Sequence, residues 1–591
     1  MKTTIKTFAI LLAVVLGMNA CVQNLNTQPI DPNINQTFDQ DAVFYKIYTS
    51  FCQTGQTGGG GDADIITDDE GYSGFYRTLC VLNEFPTDAG WWTWRNDAGC
   101  SDLLMISWSA TNPFVSKLYN RLNYGVTMCN HFLEKTEGMT DEKTVHQRAE
   151  IRFIRALNYY HLLDMFGNVP FTVTVWGAGN PDQIKRADLY QWLLDEILTG
   201  HTKPMFGETL TETDKHGFVD DLYEKGGTTI YRATKPAAYM LAARLYLNAE
   251  IYTGTLSADG KSFTKGTAEW DNAAKYAQLV IDAYPNLHKP FAQIFMGDND
   301  QTSQDEMVFL SAQDGAYIRT WAGSQYAIAS CRNQKMNDIG TSDNNWGCWR
   351  SDPELIKVFF PGKTVAEIVA AGKDADEFAM PSIAKDDRAM FCAKNINPND
   401  GTDNVKDFLG EVPENGEGFD NCWGICKWTN LYSTQFTAEM KYNPDAEKPQ
   451  HDSKYTDTDV PLMRTAEAVL TLAEAQFRAG KTSEALGNVN RIRERANATA
   501  WSASDLTEEN LLAEWLREFY HEGRRRIDLI RFGQFVGPDA TMNWEGRGGQ
   551  KSFDDSGNWL EAKSLDMHFI LYPIPNSDKV ANANLEQNPG Y

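Results

Sequence analysis

The chain has 591 residues, 42% of them hydrophobic and 23% charged, and a formal charge of −26 at pH 7. That length exceeds what a single core supports, so two or more packed units, or an array of helical repeats, are expected. The negative balance works against nucleic acid and anionic membrane surfaces as partners. Its 16 Trp, 24 Tyr and 30 Phe work against disorder, and an uncharged ligand suits the chain better than a polyanion.

Residues 1–20 read as a lipoprotein signal peptide. Lys2 and Lys6 form a basic start, Phe8 to Leu16 (FAILLAVVL) is an apolar run too short to span a bilayer, and Ala20 precedes Cys21. Cys21 is the expected lipidation site, and no later run is long and apolar enough to cross a membrane. Residues 21–40, polar with two prolines, read as an extended tether, and residues 41–591 as one unit. Ten cysteines in so long a chain are not a dense disulfide framework. Cys422 and Cys426 lack the second Cys or His pair that a zinc site needs.

Residues 53–71, rich in Gly and Asp, read as loop. A helix follows in RAEIRFIRALNYYHLLDMF, from Arg148. Thr140 is its expected N-cap, Asp141 and Glu142 favour its first turn, and Gly167 and Pro170 stop it. It is apolar over much of its girth and therefore belongs inside a helix array. Further helices are read in Ala233–Tyr252, Trp270–Tyr284 and Leu462–Ala479, and in a segment from Thr482, taken as its cap. Ala473, Ala475, Gly480, Ala485 and Leu486 follow a small–large pattern like that of tetratricopeptide repeats, in which small residues let paired helices approach. A non-repeating bundle fits the same spacing. Helices are expected within about 115–284 and 460–532. The irregular parts, about 50–110 and 285–460, are where loops on a scaffold would carry function.

Four long stretches together resemble the SusD/RagB family of surface lipoproteins. They are RAEIRFIRALNYYHLLDMFGNVPF, then DVPLMRTAEAVLTLAEAQFRAGKTSEALGNVNRIRERAN from Asp459, LLAEWLREFYHEGRRRIDLIRFGQF from Leu511, and the closing LYPIPNSDKVANANLEQNPGY. Thr67–Gly71, Ser73–Thr78, Asn83–Asp88 and Gly90–Asp97 are similar to segments of that family's starch-binding founder. The resemblance implies a mainly α fold, with tetratricopeptide-like helix pairs forming an α–α superhelix and a large irregular half carrying the ligand site. It implies capture of starch or maltooligosaccharides at the outer membrane, facing the cell exterior, without catalysis. The implied partner is a SusC-like TonB-dependent transporter, with other surface glycan-binding lipoproteins and an amylase as further partners. It implies attachment to the membrane through the lipid alone.

A starch-type site needs aromatic rings against the apolar faces of glucose and polar groups at the ring edges. A helical glucan asks for an arc of rings. By motif position the resemblance implies that Trp94, Trp321 and Trp346 form the arc, with Asp69, Arg77 and Asp97 as polar partners. The founder has Tyr where this chain has Trp321, and Asn where it has Asp97. In GWWTWRND, Trp92 and Trp94 share a face if the segment is a strand, which leaves one or both open to a core role, and Trp91 points the other way. Arg77 and Asp69 taken alone read as an ion-pair partner and a loop acid.

The resemblance also implies one structural Ca2+ held by Asp300, Asp457 and Asp459. Short acidic clusters in loops suit calcium, yet neither cluster has the EF-hand spacing, and helix-capping or solvated acids are the plain alternative. A glycoside hydrolase is the rival class, since paired carboxylates cannot be counted out among 80 acids. No H-E-x-x-H, G-x-S-x-G or phosphate-loop pattern appears, and HEGRR at His521–Arg525 reads as internal ion pairing. The same fold binding a fructan, host glycan or plant polymer is the nearest alternative.

Overall fold

The computed structural model describes residues 37–540 and 565–591, save 56–58, 60–62, 68, 95–96, 176–178, 207–209, 333–345, 374, 394–422, 448, 450 and 539. The signal segment, Cys21 and Cys422 lie outside the described residues. Two compact units are distinguished, Met1–Val43 and Phe44–Tyr591. The Asp39 carboxylate accepts from the Ala42 N–H at 3.0 Å and opens helix α1 (Gln40–Thr49), of which Gln40 to Val43 belong to the first unit. The second carries everything that follows.

Helix α2 (Phe75–Glu84) is buried along its whole length. Next, α3 (Pro113–Lys135) starts with Pro113 in its first turn and Asn112 accepting from the N–H groups of Phe114 and Val115. Its neighbour α4 (Glu142–Phe166) is capped by Asp141, not Thr140 as expected; the Asp141 carboxylate takes the Thr144 N–H at 3.1 Å. Gly167 ends α4 at φ 72°, a left-handed turn that favours glycine. From Gln147 to Phe166 every residue of α4 is buried. Its arginines tolerate this because Arg152 and Arg155 both reach Glu196 at 2.8 Å.

The array continues with α5 (Lys235–Leu247), then α6 (Trp270–Ala283). Ala237, Ala238, Ala242 and Ala243 on α5, and Ala273 and Ala277 on α6, are fully buried, so the two backbones can close on each other. After the irregular half, in which α7 (Ser324–Cys331) lies, come α8 (Thr465–Arg478), α9 (Thr482–Arg495), α10 (Glu508–Phe519) and α11 (Arg525–Arg531). Helix α6 packs on α5 before it in the chain and on α8 far beyond it, and α8 packs on α9. The array is thus interrupted in sequence but continuous in space. Among the described residues no helix is long and apolar enough to cross a membrane.

Further expected boundaries shift: the helix read over Ala233–Tyr252 starts at Lys235 and breaks at Asn248 into Lys235–Leu247 and Ala249–Tyr252. Thr482 is the first helical residue of α9 and not its cap. Leu462 begins no helix; it lies in a strand, β6 below, because Val460–Arg464 pairs antiparallel with Met307–Ser311. A short apolar run reads alike as strand or helix until its partner is known.

Beside two short ribbons in the helical part, Val169–Pro170 with Gln183–Ile184 and Thr255–Leu256 with Phe263–Thr264, the strands that bear on the site are β1 (Trp91–Trp92), β2 (Met307–Ser311), β3 (Trp349–Arg350), β4 (Phe391–Cys392), β5 (Gly424–Ile425) and β6 (Val460–Arg464). β6 and β2 form one ribbon, and the other four a small sheet in the order β1–β3–β5–β4. A buried ion network fastens the irregular half to the helices. Arg388 meets Glu514 at 2.7 Å and Glu518 at 3.2 Å, while Arg464 meets Glu306 at 3.0 Å and Glu518 at 2.6 Å. Burial works to raise the Glu514 pKa, but Arg388, Arg517 and Arg493 outweigh it and hold this carboxyl at about 2.

Candidate functional site

The sheet register builds the site. Trp91 pairs with Arg350 and Trp92 with Trp349. The pairing runs on through the Thr93 N–H, which donates to the Cys348 carbonyl at 2.8 Å. One step further, Trp94 arrives beside Trp346. Their ring centres are 6.3 Å apart with planes inclined by 34°. Trp346 in turn lies 5.8 Å from Trp321 at 33°. All three indoles are half-buried. The implied ring set is therefore contiguous, and each plane is tilted from the next.

GWWTWRND divides its labour along the strand. Trp91 and Trp92 are 5% and 3% exposed and belong to the core, whereas Trp94 keeps part of its surface open. Trp92 stacks on Tyr326 of α7 at 6.1 Å and 29°, and meets Trp94 edge-on at 5.8 Å. A buried aromatic layer thus supports the open one. The backbone of Trp346 is pinned to α7 through its N–H, which donates to the Ala329 carbonyl at 2.8 Å.

Trp321 is held by a residue that motif reading passed over. The Glu70 carboxylate accepts from the Trp321 N–H at 2.9 Å, from the Thr320 hydroxyl at 2.6 Å and from the Thr54 hydroxyl. Trp321 Nε1 donates to the Gly59 carbonyl at 3.1 Å. Gly71 beside it has no room for a side chain: a Cβ there would lie 2.7 Å from the Trp321 carbonyl oxygen and 2.5 Å from Arg77 Nη1. The acidic Asp69-Glu70 pair before a glycine was the visible signal, but nothing in it says which acid faces inward.

Among the polar residues, Asp69 caps the turn Glu70–Ser73 and meets Arg77 at 3.3 Å; the Asp69 side chain is 40% exposed and that of Arg77 5%. The Arg77 guanidinium lies over the rings of Tyr72 at 4.3 Å and Tyr326 at 4.9 Å. It stands behind Asp69 and fixes it. Asp97 is half-buried, and its carboxylate accepts a long, 3.4 Å bond from Trp92 Nε1. Two further side chains join the arc at Trp321. Tyr455 has its ring 5.5 Å away, and Lys454 sets its ammonium 4.7 Å above the indole.

Asp300, Asp457 and Asp459 lie across the junction of the β2–β6 ribbon with its flanking loops. Asp300 accepts from the Tyr231 hydroxyl at 3.1 Å and Asp457 from that of Tyr432 at 2.7 Å, while Asp459 accepts from the Gln313 N–H at 2.6 Å. Burial, then the charges of Asp300 and Asp457, hold the Asp459 carboxyl well above the usual range. The donors are all oxygen, as calcium prefers. Even so, among the described residues no group of three or more His, Cys, Asp or Glu is gathered so as to hold a metal. An ion here would have to draw the carboxylates together.

The SusD family profile matches residues 222–591, and a second, described as starch-binding and associating with the outer membrane, matches residues 83–247. The chain is 35% identical to the starch-binding protein SusD of Bacteroides thetaiotaomicron over 97% of its length and 96% of that protein's. Among solved structures it resembles a SusD-like carbohydrate-binding protein of Bacteroides fragilis, with a TM-score of 0.62 at 18% identity, over 93% of this chain and 98% of that one. It also resembles surface glycan-binding protein A of Bacteroides thetaiotaomicron, determined with laminarihexaose, with a TM-score of 0.57 at 16% identity over 93% and 99% of the two chains.

Proposed function

Since the chain belongs to the SusD family, we propose that it is a glycan-binding protein that captures α-1,4-glucan chains on the arc Trp94–Trp346–Trp321. The carrying observation is the succession of tilted, half-open indoles, 34° and then 33° apart. A curved glucan lays successive sugar faces on such a row, whereas a flat ribbon meets only one ring at a time. Asp69 and Asp97 then accept from sugar hydroxyls, and Arg77 keeps Asp69 in place.

The protein performs no chemistry in this reading. The carboxylates nearest the arc each already accept from the protein, Glu70 from the Trp321 N–H, Asp69 from Arg77 and Asp97 from the Trp92 indole, and in this reading Asp69 and Asp97 use their remaining acceptor capacity on sugar hydroxyls and not on proton transfer. It is held at the outer membrane by lipid on Cys21 and hands its glycan to a SusC-like TonB-dependent transporter. The likeness to the starch-binding relative supports this part of the reading. A structural Ca2+ at Asp300, Asp457 and Asp459 is supported by their oxygen donors and their mutual repulsion.

Titration calorimetry with maltoheptaose, a cyclic α-glucan, laminarihexaose and a fructan tests the substrate. Binding to both α-glucans is the expected result. Binding to laminarihexaose or the fructan alone would overturn the α-glucan reading. Release of reducing sugar from soluble starch by the pure chain would overturn the non-catalytic one.

A further inference from the structure

The Trp321 end of the arc is made by two loops that meet only in space, and Asp452 joins them. Its carboxylate accepts from the Lys454 and Tyr455 N–H groups at 2.8 and 2.9 Å. It also lies 3.6 Å from the guanidinium of Arg319, on the loop that leads into Trp321. Gly315 of that loop packs so closely on the turn that a Cβ there would collide with the Tyr455 carbonyl oxygen. The backbone of Lys454 is thus fixed to the loop that carries Trp321.

From this turn Lys454 reaches over the indole. Its ammonium stands 4.7 Å from the Trp321 ring centre and 5.6 Å from that of Tyr455. Tyr455 is 8% exposed and belongs to the core, whereas Trp321 and Lys454 are half-buried. An ammonium is strongly hydrated and keeps its head toward water while its stem lies on apolar surface. The face of Trp321 that Lys454 covers is therefore the face turned to solvent, which is the face a sugar reaches. A pyranose stacked there would rest about 3.5–4.0 Å from the ring atoms, in the space the ammonium holds. The two cannot both occupy the ring centre. An ammonium over an open ring is weakly held, and a hydrogen bond from a charged donor is a stronger contact. Moving from ring centre to ring edge exchanges the first for the second.

We propose that Lys454 is a ligand-binding and specificity-determining residue of the arc. In the free protein its ammonium covers the Trp321 indole. When a glycan arrives, the ammonium moves to the edge of the stacked sugar and donates to a hydroxyl or ring oxygen. Asp97, on the turn that begins at Trp94, can only accept, whereas Lys454 has three N–H donors and no acceptor. Among compounds able to stack on the indoles, the Trp321 end then selects those that carry oxygens at the ring edge. This inference rests on the arc being the glycan site.

The lysines of the full chain are dimethylated with 13C, which keeps the charge and one N–H on each. The Lys454 signal is the one missing from Lys454→Met. In the free chain the Trp321 ring current displaces it upfield, and maltoheptaose moves it saturably back downfield. Lys454→Met, which keeps the apolar stem without its donors, weakens maltoheptaose binding about ten-fold in titration calorimetry, the loss typical of one charge-assisted hydrogen bond. Its melting temperature stays within about two degrees of the parent's. A Lys454 signal that does not move at saturation, or unchanged affinity in Lys454→Met, would overturn the inference and leave the arc standing. No binding of maltoheptaose to the parent chain would overturn the α-glucan reading and this inference with it.

Discussion

Trp94 and Trp346 stand ring to ring, 6.3 Å apart, because the strand that buries Trp92 against Trp349 continues by one pair of residues. The open rings are the outer end of a buried sheet, so core and site can be separated by substitution. Trp346→Ala removes the middle ring of the arc and lowers maltoheptaose affinity at least about ten-fold, as central aromatic anchors do, while the melting temperature moves by no more than a few degrees. Trp349→Ala empties a fully buried position and costs about 3–5 kcal/mol of stability. Calorimetric binding and scanning calorimetry on the two variants give opposite patterns.

Glu70 makes a different kind of contribution. Its carboxylate holds the Trp321 backbone and two threonine hydroxyls, and it is not an arc residue. Glu70→Ala leaves those donors unpaired at about 1–3 kcal/mol and weakens glucan binding although every ring remains. Glu70→Gln, which retains one carbonyl acceptor, recovers part of the loss. Titration calorimetry on the pair distinguishes positioning from direct contact.

The acidic cluster predicts a pH-dependent gain. Burial, then Asp300 and Asp457, raise the Asp459 pKa in the folded state. The folded chain therefore binds this proton more tightly than the unfolded chain, and stability falls as pH rises above the ordinary aspartate value. Asp300→Asn removes one of the two opposing charges and raises the melting temperature at pH 7, by an amount that shrinks as the pH is lowered. Calcium added to chelator-treated protein raises the melting temperature of the parent chain and has less effect on Asp300→Asn. Thermal scans from pH 4 to 8 check both statements.

A second titration has the same sign at higher pH. Burial pushes the Glu84 carboxyl up to about 8, against the N–H groups of Arg524 and Gly523, which it accepts at 3.2 and 2.9 Å. Its contribution to stability is present below the ordinary glutamate value near 4.5 and is lost as pH rises through 8. Glu84→Gln flattens the fall in melting temperature between pH 5 and 9, read by the same scans.

The helical array was legible because its signals are local. Gly167 and the alanines of α5 and α6 act within a few residues of themselves, and their helices stand where periodicity puts them. The strand at Val460–Arg464 was not, because its apolar run acquires a period only against Met307–Ser311. The arc was named from motifs, but whether Trp92 or Trp94 faced out depended on a register set by residues 349–350. Glu70, Tyr455 and Lys454 escaped notice for a related reason: their roles depend on Trp321, which is remote in sequence from Glu70 and from the Lys454–Tyr455 pair.

Because α6 packs on α8, the long irregular segment leaves the helical array and rejoins it at one seam. It is a cassette with adjoining ends, inserted between two helices that pack on each other. The contacts from Arg388 to Glu514 and Glu518 tie it to α10 away from the seam. The arc is shared across that arrangement: Trp321 and Trp346 lie within the cassette, while Trp94 comes before it in the chain and is joined to it through the pairing of β1 with β3.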